Sequence, residues 1–352
     1  MEKDNSIQKP DIRRLDKEAL EAEVLTQGWP RYRADQIWDW VWKKRRVTFQ
    51  DFKNVPKDII SHLDEHYSIR PVSLDKFQKS SDGTLKSRMR LHDDHLVESV
   101  LIPVPADDRY TVCVSSQVGC SLSCAFCATG QMKRMRNLDA SEIYDQVVLV
   151  NEQCLEHYGH PLTNIVYMGM GEPLLNYTNV MTSIAHITSP EGLGMSPRRI
   201  TVSTVGIAKM IRRLADDGTK VNLALSLHAA DDVKRSTIMP INDQNNLTTL
   251  MDALSYFDKA TKGKISYEYI AFDGFNDSLE DAARLYELCR YFPVRINIIE
   301  YNHVSGVTFE KSKKNKVDAF AKHLIDKGVM VTIRRSRGKD IDAACGQLAN
   351  KG

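Results

Sequence analysis

Tyr110-Thr-Val-Cys113-Val-Ser115-Ser-Gln-Val-Gly119-Cys120-Ser-Leu-Ser-Cys124-Ala-Phe-Cys127 is the stretch on which the reading of this chain turns. Tyr110–Ser115 is an apolar, β-branched run that reads as a strand, and the Ser/Gly-rich residues after it read as a loop. A helical pattern follows at 140–156 and a second apolar run at Asn164–Met168. Strand, loop, helix and strand form the unit from which parallel sheets are built. The alternation continues with strand-like runs at Arg199–Ser203, Val221–Leu227, Lys264–Phe272, Val294–Tyr301 and Val329–Arg334. Helical patterns fall between them at 177–187, 206–217, 246–260, 278–291 and 314–327. Runs as continuously apolar as Val294-Arg-Ile-Asn-Ile-Ile299 suit strands covered on both faces. Six strand–helix units and a last strand are too few for a complete eight-unit barrel. The expectation is an α/β fold with an incomplete (β/α)6 TIM-like barrel over residues 106–345 and a C-terminal tail at 346–352.

Upstream the period differs. Leu20, Val24 and Leu25 share a helical face that Gly28-Trp29-Pro30 ends. A second helix fits Ala34–Lys43, and a third starts after Pro56 with Ile59, Ile60 and Leu63. Residues 1–70 therefore read as a small N-terminal helical module of helix-hairpin-helix type, expected to bind RNA, most of whose aromatic residues suit a core better than an RNA contact. Residues 71–105 read as a short β linker with strands at Leu85–Leu91 and Leu96–Ile102, and Pro103–Asp108 breaks the chain after them.

The chain has 352 residues, 42% apolar and 27% charged, which excludes a fibrous or wholly disordered protein. No apolar run approaches the roughly 18 residues of a membrane span, and Met1-Glu2-Lys3-Asp4-Asn5 lacks the apolar core of a secretory signal. Net charge is only +2, from 48 basic and 46 acidic residues. The basic residues nevertheless cluster at 43–46, 133–136, 198–199, 311–316 and 334–337. Any one run reads as solvated surface, but five in a nearly neutral chain suit a polyanionic partner. Seven cysteines in a long chain without a signal fit a reducing cytoplasm better than a disulfide scaffold.

Four of those cysteines fall between 113 and 127. Cys120, Cys124 and Cys127 can hold three irons of a four-iron cluster and leave the fourth open. A zinc site needs a fourth ligand, for which Cys113 is awkwardly placed inside a strand. A redox dithiol of Cys124 and Cys127 leaves Cys120 without a role. Gly169, Gly171 and Glu172 follow the next strand. Glycines there let the backbone approach a ligand, and a carboxylate can accept from an ammonium, although a plain strand-to-helix turn reads the same way. Ser203, Ser226 and His228 fall at the C-terminal ends of two further strands, and Asn302 closes another; barrels place ligands at this rim. His228 alone reads as a satisfied structural histidine. Cys154 and Cys289 lie in helical patterns and read as small buried hydrophobes. Cys345 instead sits beside Gly346 and the basic stretch Arg334–Lys339, where a flexible loop could present a nucleophilic thiolate.

The cysteine triplet is the signature of radical S-adenosylmethionine (AdoMet, SAM) enzymes. Four more segments accompany it: Met168-Gly-Met-Gly-Glu-Pro-Leu-Leu-Asn176, Ser203-Thr-Val-Gly206, Ser226-Leu-His228 and Asp340-Ile-Asp-Ala-Ala-Cys-Gly-Gln-Leu348. With Cys113–Cys120, they make the chain resemble the dual-specificity RNA methyltransferases that modify carbon 2 of adenosine in 23S rRNA and tRNA. The resemblance runs from about residue 16 to 349. It implies that the barrel is a radical SAM core and that Cys120, Cys124 and Cys127 hold one 4Fe–4S cluster. It implies further that Gly171, Glu172, Ser203, Ser226, Leu227, His228 and Asn302 bind AdoMet. Cys345 would carry the methyl group, Cys113 would resolve the covalent adduct, and Glu98 would be the general base. The match at Glu98 is short, with two extra residues before Asp107-Asp108, and the family's usual Asn-Pro is Asn302-His303 here.

The implied reaction consumes two AdoMet molecules. It acts on 23S rRNA at the peptidyl transferase centre and on adenosine 37 of tRNAs. It draws electrons from an external flavodoxin-like donor, in a cytoplasmic monomer with no membrane partner. A radical route is needed because carbon 2 of adenine is electron-poor and no nucleophile. One rival is the related carbon-8 methyltransferase of antibiotic resistance, which tends to carry Ala where Pro173 stands. The other is a non-catalytic zinc RNA-binding protein, which has no use for Cys345.

Overall fold

The computed structural model describes residues 9–261 and 263–350. The amphipathic N-terminal patterns form α1 (Lys17–Thr26), α2 (Tyr32–Trp38) and α3 (Lys57–His66). Asp16 caps α1 by accepting from the Ala19 N–H. Beyond Trp38, α2 widens into a π turn over Asp39–Lys43, where the Lys44 N–H donates to the Asp39 carbonyl. Trp40 and Trp42 are buried, and Trp42 stacks on His186 with ring centroids 3.6 Å apart. These aromatics are core, as expected. Arg13 fastens the module to the rest of the chain: its buried guanidinium lies 2.9 Å from both Asp11 and Asp145.

Three antiparallel strands follow: β1 (Ser73–Lys79), β2 (Leu85–Arg90) and β3 (Leu96–Val104). The sequence reading has no counterpart to β1. Ser-Leu-Asp-Lys-Phe-Gln-Lys is an exposed edge strand, and charge on an edge conceals the alternation while protecting against aggregation. The stretch 103–108, read as a break, is a turn within the sheet, since Val104 pairs with Arg109 of β4 (Arg109–Cys113).

Next, β5 (Gln117–Val118) and β6 (Arg136–Asn137) pinch the cysteine loop at its base. The barrel continues through α4 (Ala140–Tyr158), β7 (Asn164–Tyr167), α5 (Tyr177–Thr188), β8 (Ile200–Thr204), α6 (Ala208–Asp216) and β9 (Asn222–Ser226). It ends with α7 (Asp232–Ile238), α8 (Leu247–Thr261), β10 (Ile265–Ala271), α9 (Leu279–Leu288), β11 (Val294–Glu300), α10 (Lys314–Ile325) and β12 (Met330–Arg334). Helix α7 is an addition to the reading, because Asp-Val-Lys-Arg-Ser-Thr-Ile shows no apolar period.

One sheet runs β1-β2-β3-β4-β7-β8-β9-β10-β11-β12, parallel from β4 onward. β4 has β3 as its other neighbour and β12 pairs only with β11, so the barrel stays open, as expected. Every parallel strand contributes side chains to a single cavity of about 770 Å³, among them Cys113, Val166, Ser203, Ser226, Glu268, Asn297 and Thr332. The sheet therefore curves around that space. Among the described residues, no helix is long and apolar enough to cross a membrane.

Candidate active site

The cysteine loop is held from three sides. Gly119 precedes Cys120 at φ +74°, and a Cβ there would lie 2.2 Å from the Lys133 carbonyl oxygen, so only glycine fits. Between the second and third cysteines, the Ala125 N–H donates to the Ile238 carbonyl of α7. Beyond Cys127, the Ala128 N–H donates to the Gly346 carbonyl and the Thr129 hydroxyl to that of Leu348. The loop is thereby joined to the segment that carries Cys345. Cys120, Cys124 and Cys127 all line the cavity. Among the described residues no three His, Cys, Asp or Glu side chains close on a single ion. Three soft thiols within electrostatic reach of one another in one cavity suit a polynuclear cluster, whose irons each take one thiolate.

The glycine turn after β7 packs against the residues after β4. The Gly169 N–H donates to the Val114 carbonyl, and a Cβ on Gly171 (φ +93°) would meet Gln117 Cβ at 2.5 Å. Glu172 follows, fully enclosed. Its Oε1 accepts from the Leu174 N–H at 3.0 Å and its Oε2 from the Val205 N–H at 2.9 Å, which ties the end of β7 to the end of β8. Burial pushes its pKa up to about 7 against those hydrogen bonds. His228 lies just beyond β9 with φ +56°. Its Nδ1 accepts from the Ile270 N–H at 3.1 Å, so the proton of the neutral ring sits on Nε2. Burial, then Arg235, pushes its pKa down to about 3, and the ring stays neutral.

Gly171, Glu172, Ser203, Ser226 and His228 share the cavity with the three cysteines, Cys113 and Cys345. Burial pushes the Cys113 thiol up to about 12, with Cys345 within its electrostatic reach; Cys345 itself is exposed, and its thiol lies within reach of Cys127 and Glu268. Three expected residues do not line the cavity. Leu227 is buried elsewhere, and its backbone carbonyl accepts from Arg235 Nε. Asn302 donates to the Cys345 and Glu300 carbonyls at 3.3 Å, so it holds the loop. Glu98 is 0% exposed. Its Oε1 pairs with Lys86 Nζ at 3.2 Å, and its Oε2 accepts from the N–H groups of Ala349 and Asn350.

Among the buried charges that sequence reasoning missed, Lys86, Arg235 and Glu268 bear on the site. Arg235, on α7, donates to the carbonyls of Leu227, Ser226 and Val205 and to Asn242 Oδ1, and so staples the ends of β8 and β9. Only Glu268 left a local trace, a carboxylate inside the buried strand Ile265-Ser-Tyr-Glu-Tyr-Ile.

An open parallel barrel with three cysteines on its first loop and a Gly-Glu turn after its second strand defines a radical SAM core. The profile of the Radical SAM superfamily matches residues 114–286, and that of the ribosomal RNA large subunit methyltransferase N-terminal domain matches residues 11–69. The chain is 54% identical to the probable dual-specificity RNA methyltransferase RlmN of Cytophaga hutchinsonii, covering 98% of this chain and 94% of that one. It is 40% identical to the dual-specificity RNA methyltransferase RlmN of Nautilia profundicola, covering 92% and 93%. A crystal structure of a radical SAM methyltransferase from Sphaerobacter thermophilus superposes with a TM-score of 0.89 at 38% identity, covering 97% of this chain and all of that one. The chain belongs to the RlmN family. Membership of the radical SAM superfamily implies a 4Fe–4S cluster and AdoMet as cofactors.

Proposed function

We propose that this chain methylates carbon 2 of adenosine in 23S rRNA, at the peptidyl transferase centre, and adenosine 37 of tRNAs. The observation that carries the reading is the meeting of Cys113 and Cys345, 232 positions apart, in the cavity lined by Cys120, Cys124, Cys127 and Glu172. The last three cysteines would hold the cluster, with Gly171, Glu172, Ser203, Ser226 and His228 around AdoMet and Leu227 and Asn302 contributing from behind the lining. When bound, the cluster supplies the electron that cleaves AdoMet.

Cys345 accepts a methyl group and presents its carbon to the adenine, and the bound cluster with AdoMet would supply the removal of one hydrogen from that methyl group. Once that carbon is joined to the ring, Glu98 takes the ring proton, for which residues 349–350 must first leave its carboxylate. The Cys113 thiolate then attacks the Cys345 sulfur. An S–S bond forms, the S–CH2 bond breaks, and its electron pair takes a proton to complete the methyl group. An external donor of the flavodoxin type reduces the disulfide and supplies the cluster's electron.

The helical module at 1–70 and the basic runs contribute affinity through phosphates, while the β linker at 71–105 and the tail at 346–352 flank the barrel of 106–345; residues 1–8 and 351–352 of these segments lie outside the described residues. The enzyme works as a cytoplasmic monomer. Mass spectrometry of modified adenosines in rRNA and tRNA, from cells with and without the gene, tests the proposal. Gene-dependent 2-methyladenosine in both RNAs supports it, and 8-methyladenosine, or no difference, overturns it.

A further inference from the structure

Glu268 stands at the centre of the concave wall. Its neighbours in register are Ser226 on β9 and Asn297 on β11, and all three side chains face the cavity. The carboxylate is 4% exposed, and its two oxygens are treated differently. Oε1 accepts from Asn297 Nδ2 at 2.7 Å and from the Ser266 hydroxyl at 2.8 Å. Oε2 is buried and accepts no hydrogen bond. Its nearest cation, Arg334 Nη1, stands 3.7 Å away on a half-exposed side chain, too far for a hydrogen bond. A buried carboxylate oxygen without a donor is costly. Asn297 and Ser266 hold Oε1, which leaves Oε2 without a donor on a residue that lines the cavity.

We propose that Glu268 Oε2 accepts from the ribose hydroxyls of a bound adenosine, an inference that rests on the methyltransferase reading of the cavity. A carboxylate with one fixed and one open oxygen suits a vicinal diol, as acidic residues do for the ribose of dinucleotides. The cavity receives two adenosines in that reading, the AdoMet nucleoside and the target nucleotide. The position of Glu268 beside Ser226 favours AdoMet. Arg334 lies toward Arg335 and Arg337, whose free charges suit RNA phosphates.

The test uses full-length, cluster-loaded protein. AdoMet binding is measured by calorimetry without RNA, for wild type and Glu268→Gln, with AdoMet and with its 2′-deoxy analogue. Gln keeps the acceptor for Asn297 and replaces the open oxygen with a donor. The expected result is a tenfold to hundredfold weaker affinity for AdoMet in the variant. Wild type and variant should bind the deoxy analogue within about threefold of each other, as coupled partners do. A parallel arm measures methylation of RNA carrying adenosine or 2′-deoxyadenosine at the target. A loss confined to this arm, in which wild type discriminates the two RNAs and Glu268→Gln does not, assigns the oxygen to the target ribose instead.

If wild type binds AdoMet and its deoxy analogue equally and ignores the target 2′-hydroxyl, the inference is overturned without any variant, even should Glu268→Gln fail to fold. Failure of the wild type to bind AdoMet at all would defeat the methyltransferase reading itself and is distinguishable from that result.

Discussion

Replacing Cys113 and Cys345 one at a time should give two different failures. Cys113 ends β4 at 9% exposed. Loss of its sulfur should cost about 1 kcal/mol, small against the 5–15 kcal/mol typical of a folded domain. Cys345 lies on an exposed loop, and its loss should cost less. Both variants should therefore fold and load iron, and any difference between them is chemical. Cys345→Ala never receives a methyl group and should neither methylate nor crosslink RNA. Cys113→Ala still accepts the methyl and attacks the adenine but cannot release it, so it should accumulate RNA joined through Cys345. With the thiol raised to about 12, the reactive thiolate is scarce at neutral pH. Release by the wild type should therefore quicken about tenfold per pH unit above neutrality, while the adduct of Cys113→Ala resolves at no pH. The assay is a denaturing gel of protein purified from cells, with and without ribonuclease, followed by peptide mass analysis. A folded, iron-loaded Cys113→Ala protein that carries no RNA, or that turns over normally, refutes the assignment.

Alanine at Cys120, Cys124 or Cys127 should abolish the brown chromophore and AdoMet cleavage; stoichiometric zinc without iron in active protein would sink the cluster reading. Burial raises the Glu172 carboxyl from 4.5 to about 7, so the neutral form gains below that value. AdoMet affinity, read by calorimetry, should then fall about tenfold per pH unit below 7, and Glu172→Gln should flatten the profile. By the same sign, the ligand-free wild type should lose stability relative to Glu172→Gln as pH rises from 4.5 towards 7. Arg235→Met removes a donor from the carbonyls of Val205, Ser226 and Leu227, of which Leu227 keeps the Ala229 N–H, at about 1–3 kcal/mol for each acceptor left unpaired. The urea midpoint should drop steeply, with Arg235→Lys between the two, and an unchanged midpoint would deny the staple.

The barrel was legible because strands covered on both faces are continuously apolar, and Val294–Ile299 and Val221–Leu227 carry that signature. Elements that one face leaves in water were harder: β1 is a charged edge and α7 a polar turn of helix, and neither has a period to detect. The same division runs through the site. Residues adjacent in sequence, the three cysteines and the Gly-Glu turn, announce a ligand together. Glu98 is found only by resemblance, and its partners Lys86, Ala349 and Asn350 cannot be found at all, because two segments distant from it and from each other supply them. Whether a charge is solvated or buried depends on the fold, and Arg235 sits among Asp231, Asp232 and Lys234 like any surface residue.

That long-range assembly explains why the barrel is extended by strands it does not need for closure. The β1–β2 turn and β2–β3 hold the chain that bears Cys345 at both ends. Asp82 accepts from the Gly338 N–H, the Ser80 hydroxyl donates to Asp340, and Lys86 Nζ reaches the Asp342 carbonyl at 3.3 Å. Beyond the cysteine, Glu98 takes two N–H groups and the Leu96 carbonyl accepts from Asn350 Nδ2. Between these clamps, Asn302 and the cysteine loop touch only backbone carbonyls of residues 345, 346 and 348. Bonds to a charged acceptor contribute about 1.5–3 kcal/mol and neutral ones about 1. The loop is thus fastened more firmly at its ends than at its middle. Left-handed residues Asp342 and Gly346 bracket the thiol within that middle. A sulfur that must meet AdoMet, then an adenine, then Cys113 has to travel, and this distribution of bonds lets it do so while the anchors at Ser80, Asp82 and Lys86 stay in place and the Glu98 clamp opens only for the proton transfer.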